Sequence, residues 1–253
     1  MTHITVNIRI NPKENPNKIA TIISEKCKQE NIDFDMSVRP AREYMDDIEK
    51  RYEKLIEIGE SIAIKINTTK TSKIEYEPTD RTIVKINPEW CFGDGLHETT
   101  RLCIKAIERN INKEYSVLDV GCGSGILSIT SLVLGANSAT GVDINQHSIN
   151  MSRYNAELNG IEDKYTLING NLVDSVEGKF DLVVANMLTN ELKALLVDIK
   201  KYMHHDSILI LSGIIDFRCD ELISASREDF DVINKTEENN WVCLELKLKA
   251  DHV

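Results

Sequence analysis

The stretch VLDVGCGSG, from Val117 to Gly125, decides the fold of this chain, and the apolar segment ILSI follows it directly. An apolar run leads into glycines at every second position, and apolar residues then return with helical spacing. This order predicts a strand, a tight turn and the N-terminus of a helix. The glycines, Gly121, Gly123 and Gly125, let the backbone approach a ligand, and free N–H groups at a helix start suit a polar or anionic group.

A second strand that ends in an acid, Thr140-Gly141-Val142-Asp143, places its carboxylate 22 positions after Gly121. In nucleotide-binding βαβ units such an acid accepts hydrogen bonds from ribose hydroxyls. The glycine spacing is GxGxG and not the GxGxxG of dinucleotide sites. Asp119, just before the first glycine, can orient the loop or meet a cationic part of the ligand. We therefore expect S-adenosylmethionine, which carries a sulfonium, an ammonium and a ribose.

Strands and helices alternate from about residue 116, which predicts an α/β fold with a doubly wound, mostly parallel, Rossmann-like sheet. Phe230–Ile233 and Val242–Leu246 are joined without a helix, and this hairpin predicts one antiparallel strand at the sheet edge. Residues 1–40 are predicted to form a small α+β lobe of one strand and one helix. Residues 41–75 are predicted to form a connecting helix, over residues 41–60, and a strand, over residues 61–67. Residues 76–253 are predicted to form the ligand-binding domain, with a further strand over residues 82–87 and, among its helices, one over residues 189–203.

Polar residues stand at the ends of four predicted strands, at Asp119–Gly121, Asp143, Asn169–Asn171 and Asn186. Ligands bind beyond the carboxyl ends of the strands in such sheets, so we expect these positions to converge on one crevice. Asn171 is predicted to face the adenine, with a turn-forming Asn as the alternative. Asn186 offers one acceptor and two donors on the substrate side, with a helix cap as the alternative.

Charge and composition exclude several classes of function. The net charge of −11 over 253 residues argues against a nucleic-acid binder, which needs a basic face, and is compatible with a basic protein substrate. No apolar run approaches the roughly 18 residues of a membrane span, and no signal peptide is visible, so we expect a cytoplasmic protein. The six cysteines form no CxxC pair, so neither a zinc site nor a disulfide framework is indicated.

Three segments resemble the ribosomal protein L-eleven methyltransferases (PrmA). The segment FGDGLHETT, which ends at Thr100, is similar to FGTGTHPTT of that family. DVGCGSGIL, which begins at Asp119, is similar to its DxGCGSGIL loop, and NMLT, which begins at Asn186, resembles its NILA segment. The resemblance runs in order from about residue 80 to about residue 247. It implies a class I methyltransferase in which Thr100, Gly121, Asp143 and Asn186 hold S-adenosylmethionine.

The resemblance also implies a function, the methylation of lysine side chains and the α-amine of a large-subunit ribosomal protein, which releases S-adenosylhomocysteine. Asn186 is expected to orient the neutral amine, and no side chain has to act as a general base. Asp94, Leu96 and Glu98 replace family residues, and the N-terminal lobe is short. Another protein or a small amine is therefore an alternative substrate. A non-catalytic binding protein on this fold and an NAD-dependent oxidoreductase are the alternatives from other classes.

Overall fold

The computed structural model of this chain describes residues 50–89 and 91–250. The chain divides after Arg51 into two units, and the described residues lie almost entirely in the second unit, Tyr52–Val253. The predicted strand–helix lobe of residues 1–40 and the predicted boundary after residue 40 lie outside the described residues.

A three-stranded sheet precedes the main domain, and its strands are β1 (Ile56–Ile58), β2 (Ile62–Ile66) and β3 (Thr82–Ile86). β2 pairs with β1 in antiparallel and with β3 in parallel orientation. The predicted strands at residues 61–67 and 82–87 are confirmed. The helix predicted through residue 60 is wrong at its end, because Ile56–Ile58 pair with β2 instead. β2 precedes residue 75 and β3 follows it, so this sheet joins the predicted connecting segment to the predicted ligand-binding domain.

Seven strands form the main sheet, and their spatial order explains where a ligand can bind. They are β4 (Ser116–Val120), β5 (Ser138–Asp143), β6 (Tyr165–Asn169), β7 (Phe180–Asn186), β8 (Met203–Ile215), β9 (Phe230–Glu238) and β10 (Trp241–Leu248). The order is β6-β5-β4-β7-β8-β10-β9, and the first five strands in this order are parallel. The strand order reverses between β4 and β7, which is where open α/β sheets bind ligands.

The antiparallel strand of the sheet is β10. The prediction that the antiparallel strand lies at the edge of the sheet is wrong. β10 pairs with β8 on one side and with β9 on the other, in antiparallel orientation to both. The burial of the two hairpin strands explains this order. Residues 242–246 of β10 are all buried, whereas in β9 only Phe230 is buried. The more apolar strand therefore takes the inner position, and the polar strand β9 forms the edge.

Five helices cover the two faces of the sheet, and this confirms the doubly wound fold. They are α1 (Glu98–Asn110), α2 (Ile126–Val133), α3 (Gln146–Asn159), α4 (Thr189–Leu196) and α5 (Cys219–Ser226). Successive residues of β7 enter different cores: Val184 packs in the core with α1, α2 and α3, and Val183 in the core with α4 and α5. The helix predicted over residues 189–203 ends at Leu196, and a short 3₁₀ turn, Ile199–Tyr202, precedes β8.

Ion pairs attach α1 to the last two strands. Glu238 accepts from Arg101 and from Lys105, the latter at 2.9 Å. The buried carboxylate of Glu245 accepts from Arg109 and, at 2.6 Å, from Asn110. A buried carboxylate is stable only when it is paired, so these contacts fix the helix against the hairpin. Across residues 50–89 and 91–250, no helix is both long enough and apolar enough to cross a bilayer.

Candidate functional site

A cavity of about 640 Å³ lies at the carboxyl ends of β4, β5, β6 and β7. Each of these strand ends contributes to its wall, as the sequence predicted for the crevice. The strand-end residues in the wall are Val120, Gly121, Val142, Asp143, Ile144, Gly170, Asn171, Leu172, Asn186, Met187 and Leu188. The rest of the wall comes from other elements: Phe92, His97, Thr99, Glu191, Gly213 and Trp241.

The glycine turn contacts the cavity through its first glycine. Gly121, Gly123 and Gly125 all have positive φ, at 75°, 55° and 82°. Gly121 lines the cavity, whereas a Cβ on Gly123 would lie 2.8 Å from the carbonyl oxygen of Phe92. A Cβ on Gly125 would lie 2.2 Å from Ser152 Oγ. Packing inside the protein therefore explains the last two glycines, and their predicted contact with a ligand remains a prediction.

Asp143 lines the cavity and also holds the glycine turn. Its Oδ2 accepts from the backbone N–H of Gly123 at 3.0 Å, and its Oδ1 accepts from the backbone N–H of Asn145 at 2.8 Å. Each oxygen of a carboxylate can accept a second hydrogen bond. The carboxylate is therefore oriented by the protein while it retains acceptor capacity for a ligand hydroxyl.

Asp119 lies behind the turn and has no exposed surface. Its Oδ2 accepts from the backbone N–H of Ser128 at 3.1 Å and from Ser128 Oγ at 2.9 Å. Its Oδ1 has no hydrogen-bond partner among the described residues. Burial raises the pKa of this carboxyl to about 7, although the hydrogen bonds from Ser128 lower it. Contact with a cationic ligand group is not supported by this position, and the bonds to α2 favour the other predicted role, orienting the loop.

Asn186 and Thr100 are neighbours, but only Asn186 reaches the cavity. Thr100 is buried in the first turn of α1, and Asn186 Nδ2 faces its Oγ1 across a long contact of 3.5 Å. The amide nitrogen therefore faces a residue that does not line the cavity. No hydrogen bond engages Asn186 Oδ1 within residues 50–89 and 91–250. Thr99, the preceding residue, lines the cavity in place of Thr100.

His97 forms part of an aromatic wall and caps α1. Its Nδ1 accepts from the backbone N–H of Thr99 at 3.3 Å, which places the ring proton on Nε2 when the imidazole is neutral. Its ring stacks edge-to-face on Phe92 and on Trp241, with centroids 5.4 and 5.1 Å apart. Burial lowers the pKa of His97, so the ring is neutral at pH 7. In this tautomer His97 presents its Nε2–H as a hydrogen-bond donor, and its Nδ1 lone pair faces the N-terminus of α1.

Asn171 stands in a turn, which is the alternative role that the sequence left open, and it also reaches the cavity. It lines the cavity, and its Nδ2 also donates to Asp174 Oδ2 at 3.2 Å within a turn. Its contact with an adenine stays a prediction.

The reasoning from the sequence did not assign several residues of the wall to the site, and among them are Glu191, Gly213 and Trp241. Glu191 stands in the first turn of the helix that follows Asn186, a position that motif spacing could have identified. Gly213 belongs to β8, which pairs with β7 beside Asn186, whereas Trp241 belongs to β10 and reaches the cavity because β10 pairs with β8. Among the described residues, no group of three potential metal-ligating side chains is present.

Comparison with known proteins places this site in a family. Residues 3–249 match the family model described as "Ribosomal protein L11 methyltransferase (PrmA)". A curated "Ribosomal protein L11 methyltransferase" from Clostridium perfringens (strain SM101 / Type A) is 38% identical over 202 residues, which cover 79% of this chain and 63% of that relative. The protein of the same name from Desulforamulus reducens is 37% identical over 194 residues, which cover 76% of this chain and 61% of that relative.

A solved structure supports the same assignment. The crystal structure of a ribosomal protein L11 methylase from Lactobacillus delbrueckii subsp. bulgaricus has 33% sequence identity and a TM-score of 0.71. That match covers 78% of this chain and 99% of the solved chain. The present chain thus spans slightly under two thirds of the curated relatives that it matches and nearly all of this structure. With a family model that matches almost its full length, the chain belongs to the ribosomal protein L11 methyltransferase (PrmA) family.

Proposed function

We propose that this chain is an S-adenosylmethionine-dependent protein N-methyltransferase that acts on amino groups of a ribosomal protein. The observation that carries the proposal is one shared cavity lined by Gly121, Asp143 and Asn186, which end three different strands. A nucleoside site needs the glycine turn and the acid together, and methyl transfer also needs a polar group that can orient an acceptor. Family membership supports the same reaction.

The walls of the cavity suit S-adenosylmethionine. Asp143 has acceptor capacity for ribose hydroxyls, and Ile144 and Leu172 line the same cavity with apolar side chains that suit a purine ring. The volume of about 640 Å³ lies within the range of roughly 300–1,000 Å³ of small-ligand sites. When bound, S-adenosylmethionine supplies an electrophilic methyl group. The residues that would hold it are Gly121, Asp143, Asn171 and Asn186.

The side chains of the cavity suggest how the acceptor is handled. A lysine amine has an ordinary pKa of about 10.4 and has to lose a proton before it can attack. A partly apolar wall, here Phe92, Leu188 and Trp241, disfavours the ammonium form and assists this loss. Asn186 Oδ1 can accept from an amine N–H and so orient the lone pair. The basic nitrogen of neutral His97, Nδ1, is engaged by Thr99 in the cap of α1, so we propose that water accepts the proton.

The proposed substrate is ribosomal protein L11, the protein that the names of the relatives specify. The net charge of −11 suits a basic protein partner, because opposite charges steer association. Lysine side chains and the α-amine are the proposed acceptor groups. The cytoplasmic location and the absence of nucleic-acid binding stay predictions from the sequence.

Mass spectrometry of ribosomal proteins tests the proposal. Ribosomes from cells that lack this chain and from cells that contain it are compared, and the purified chain is then incubated with unmethylated L11 and labelled S-adenosylmethionine. We expect methyl groups on L11 only when this chain is present. Labelling of a different protein would correct the substrate. If the chain binds S-adenosylhomocysteine but transfers methyl groups to no protein of a cell extract, the result would favour a non-catalytic binding protein.

A further inference from the structure

Glu191 is the second carboxylate in the wall of the cavity. It stands in the first turn of α4, five positions after Asn186, and its side chain is exposed. Asp143 and Glu191 are the acidic residues in the wall, and no lysine or arginine of the described residues lines it. With His97 neutral, the wall carries two negative charges and no positive charge.

The carboxylate of Glu191 makes no hydrogen bond or ion pair within residues 50–89 and 91–250. The cations near it in the chain have other partners. Lys193 Nζ lies 2.8 Å from Glu221, and Arg218 also binds Glu221, at 2.8 Å. Asp143, in contrast, accepts from two backbone N–H groups. Of the two carboxylates in the wall, Glu191 is therefore the one that no hydrogen-bond donor or cation of the described residues engages.

Exposed apolar side chains line the same cavity as Glu191. Leu188, at the N-terminus of α4, is 64% exposed, and Phe92 is 54% exposed. A cation on an apolar stem matches this combination, because the stem covers apolar surface while the charged head meets the carboxylate. An acceptor without a positive charge would gain a weaker interaction with Glu191, a hydrogen bond without ionic attraction between the two groups.

We propose that Glu191 binds the ammonium form of the acceptor side chain as it enters the cavity and so selects cationic amines as substrates. This inference rests on the proposed function. It assigns Glu191 a role in specificity that is separate from the role of Asn186, which orients the amine after its proton has left.

The charge of Glu191 has two opposite effects on the reaction. It stabilises the bound ammonium and so lowers KM. A carboxylate near an ammonium also raises the pKa of that ammonium, so a smaller fraction of the bound amine is deprotonated at pH 7. Loss of the charge should therefore raise KM and move the pH midpoint of kcat downward. A residue with a merely structural role would not produce this pair of changes.

Steady-state kinetics of the full chain test the inference, with unmethylated ribosomal protein L11 as the acceptor. The variants are Glu191→Gln and, as a matched control, Glu157→Gln, which also removes one exposed helical carboxylate but lies outside the cavity. Because Glu191 is exposed, and solvent weakens exposed ion pairs, we expect Glu191→Gln to raise KM roughly 2- to 5-fold. The midpoint of kcat against pH should fall. Added salt should raise KM more for the wild-type protein than for Glu191→Gln.

Several outcomes would overturn the inference. One is an unchanged KM in Glu191→Gln, and another is a pH midpoint that stays fixed or rises. A loss of affinity for S-adenosylhomocysteine in Glu191→Gln, measured by calorimetry, would instead assign the carboxylate to the cofactor. Normal kinetics of this variant would leave the proposed function intact, whereas a wild-type protein that binds S-adenosylhomocysteine but methylates no amine would overturn both proposals.

Discussion

The backbone of Gly213 lies so close to Met187 that a Cβ at residue 213 would be 2.2 Å from the carbonyl oxygen of Met187. Gly213 has a φ of 84°, which residues with a side chain rarely adopt. The N–H of Met187 also donates to the carbonyl of Ser212 at 3.1 Å. β8 therefore holds the segment that follows Asn186, and glycine at residue 213 permits this close approach.

Replacing Gly213 with alanine should destabilise the protein and disturb the cavity. The positive φ of an alanine at residue 213 should lower the free energy of unfolding by about 1–2 kcal/mol. The shift of the backbone that removes the clash with Met187 should lower it by roughly 1–3 kcal/mol more. Gly178 is a matched control, because its φ is 86° and a Cβ there would meet nothing within 4 Å. Chemical denaturation should show a larger loss of stability for Gly213→Ala than for Gly178→Ala. Equal losses would show that the approach to Met187 imposes no constraint.

Asp119 should make the stability of the protein depend on pH. Its pKa is about 7 in the folded state against an ordinary 3.8, so the folded protein binds the proton more tightly than the unfolded chain. The free energy of unfolding therefore decreases as pH rises from about 4 to about 7, and the decrease ends above the folded pKa. At about 1.36 kcal/mol per pH unit, this interval corresponds to on the order of 4 kcal/mol.

Urea denaturation of the wild-type protein and of Asp119→Asn between pH 4 and pH 8 measures this contribution. The difference between the two free energies of unfolding reports on residue 119, because the other ionisable groups are the same in both proteins. We expect the stability of the wild-type protein relative to Asp119→Asn to fall through this range and then level off. A difference that is independent of pH would contradict a protonated Asp119.

The spacing of the apolar residues and the glycine motif predicted the part of the site that is built from strand ends. Gly121, Asp143 and Asn186 follow apolar runs directly, and in a parallel sheet the ends of neighbouring strands meet at one edge. The same reasoning could not separate residues that line the cavity from residues that support it. Thr100 and Asp119 are buried behind the wall, because which side chain of a turn faces inward depends on the packing of α1 and α2.

The aromatic wall could not be predicted from local pattern. His97 and Trp241 are 144 positions apart in the sequence, and they meet because β10 enters the sheet beside β8. The ion pairs from α1 to Glu238 and Glu245 then fix the helix that His97 caps. The sequence predicted this hairpin at the edge of the sheet. A strand at the edge would lie far from the ligand site, so nothing in the sequence pointed to Trp241.

The Asp143 carboxylate should contribute to the affinity for the nucleoside. Replacement by alanine removes a charge-assisted hydrogen bond to the ribose, so affinity for S-adenosylhomocysteine should fall by about 1.5–3 kcal/mol. Asp181 provides a control, because its Oδ2 accepts from the backbone N–H of Ser116 at 2.8 Å at the opposite end of the sheet. Isothermal titration calorimetry should show normal affinity for Asp181→Ala. Unchanged affinity in Asp143→Ala would refute the assignment to the ribose.

Asn186 should affect the rate of methyl transfer more than the stability of the protein. Its side chain is half-buried, and among the described residues its one hydrogen bond to another side chain, to Thr100 Oγ1, is long at 3.5 Å, so alanine removes little that holds the fold together. The backbone of residue 186 would keep its pairing with Ser212. Without Oδ1, however, an amine has no fixed acceptor to orient its lone pair, and poor alignment of reacting atoms reduces rates steeply.

We therefore expect Asn186→Ala to lower kcat at least 100-fold while its thermal midpoint stays close to that of the wild-type protein. Asn137→Ala is a suitable control, because residue 137 is exposed and lies outside the cavity. Single-turnover transfer from labelled S-adenosylmethionine separates this effect from a slower product release. Near-normal single-turnover rates in Asn186→Ala would remove the side chain from the mechanism, and the backbone beside Met187 would then be the group that orients the amine.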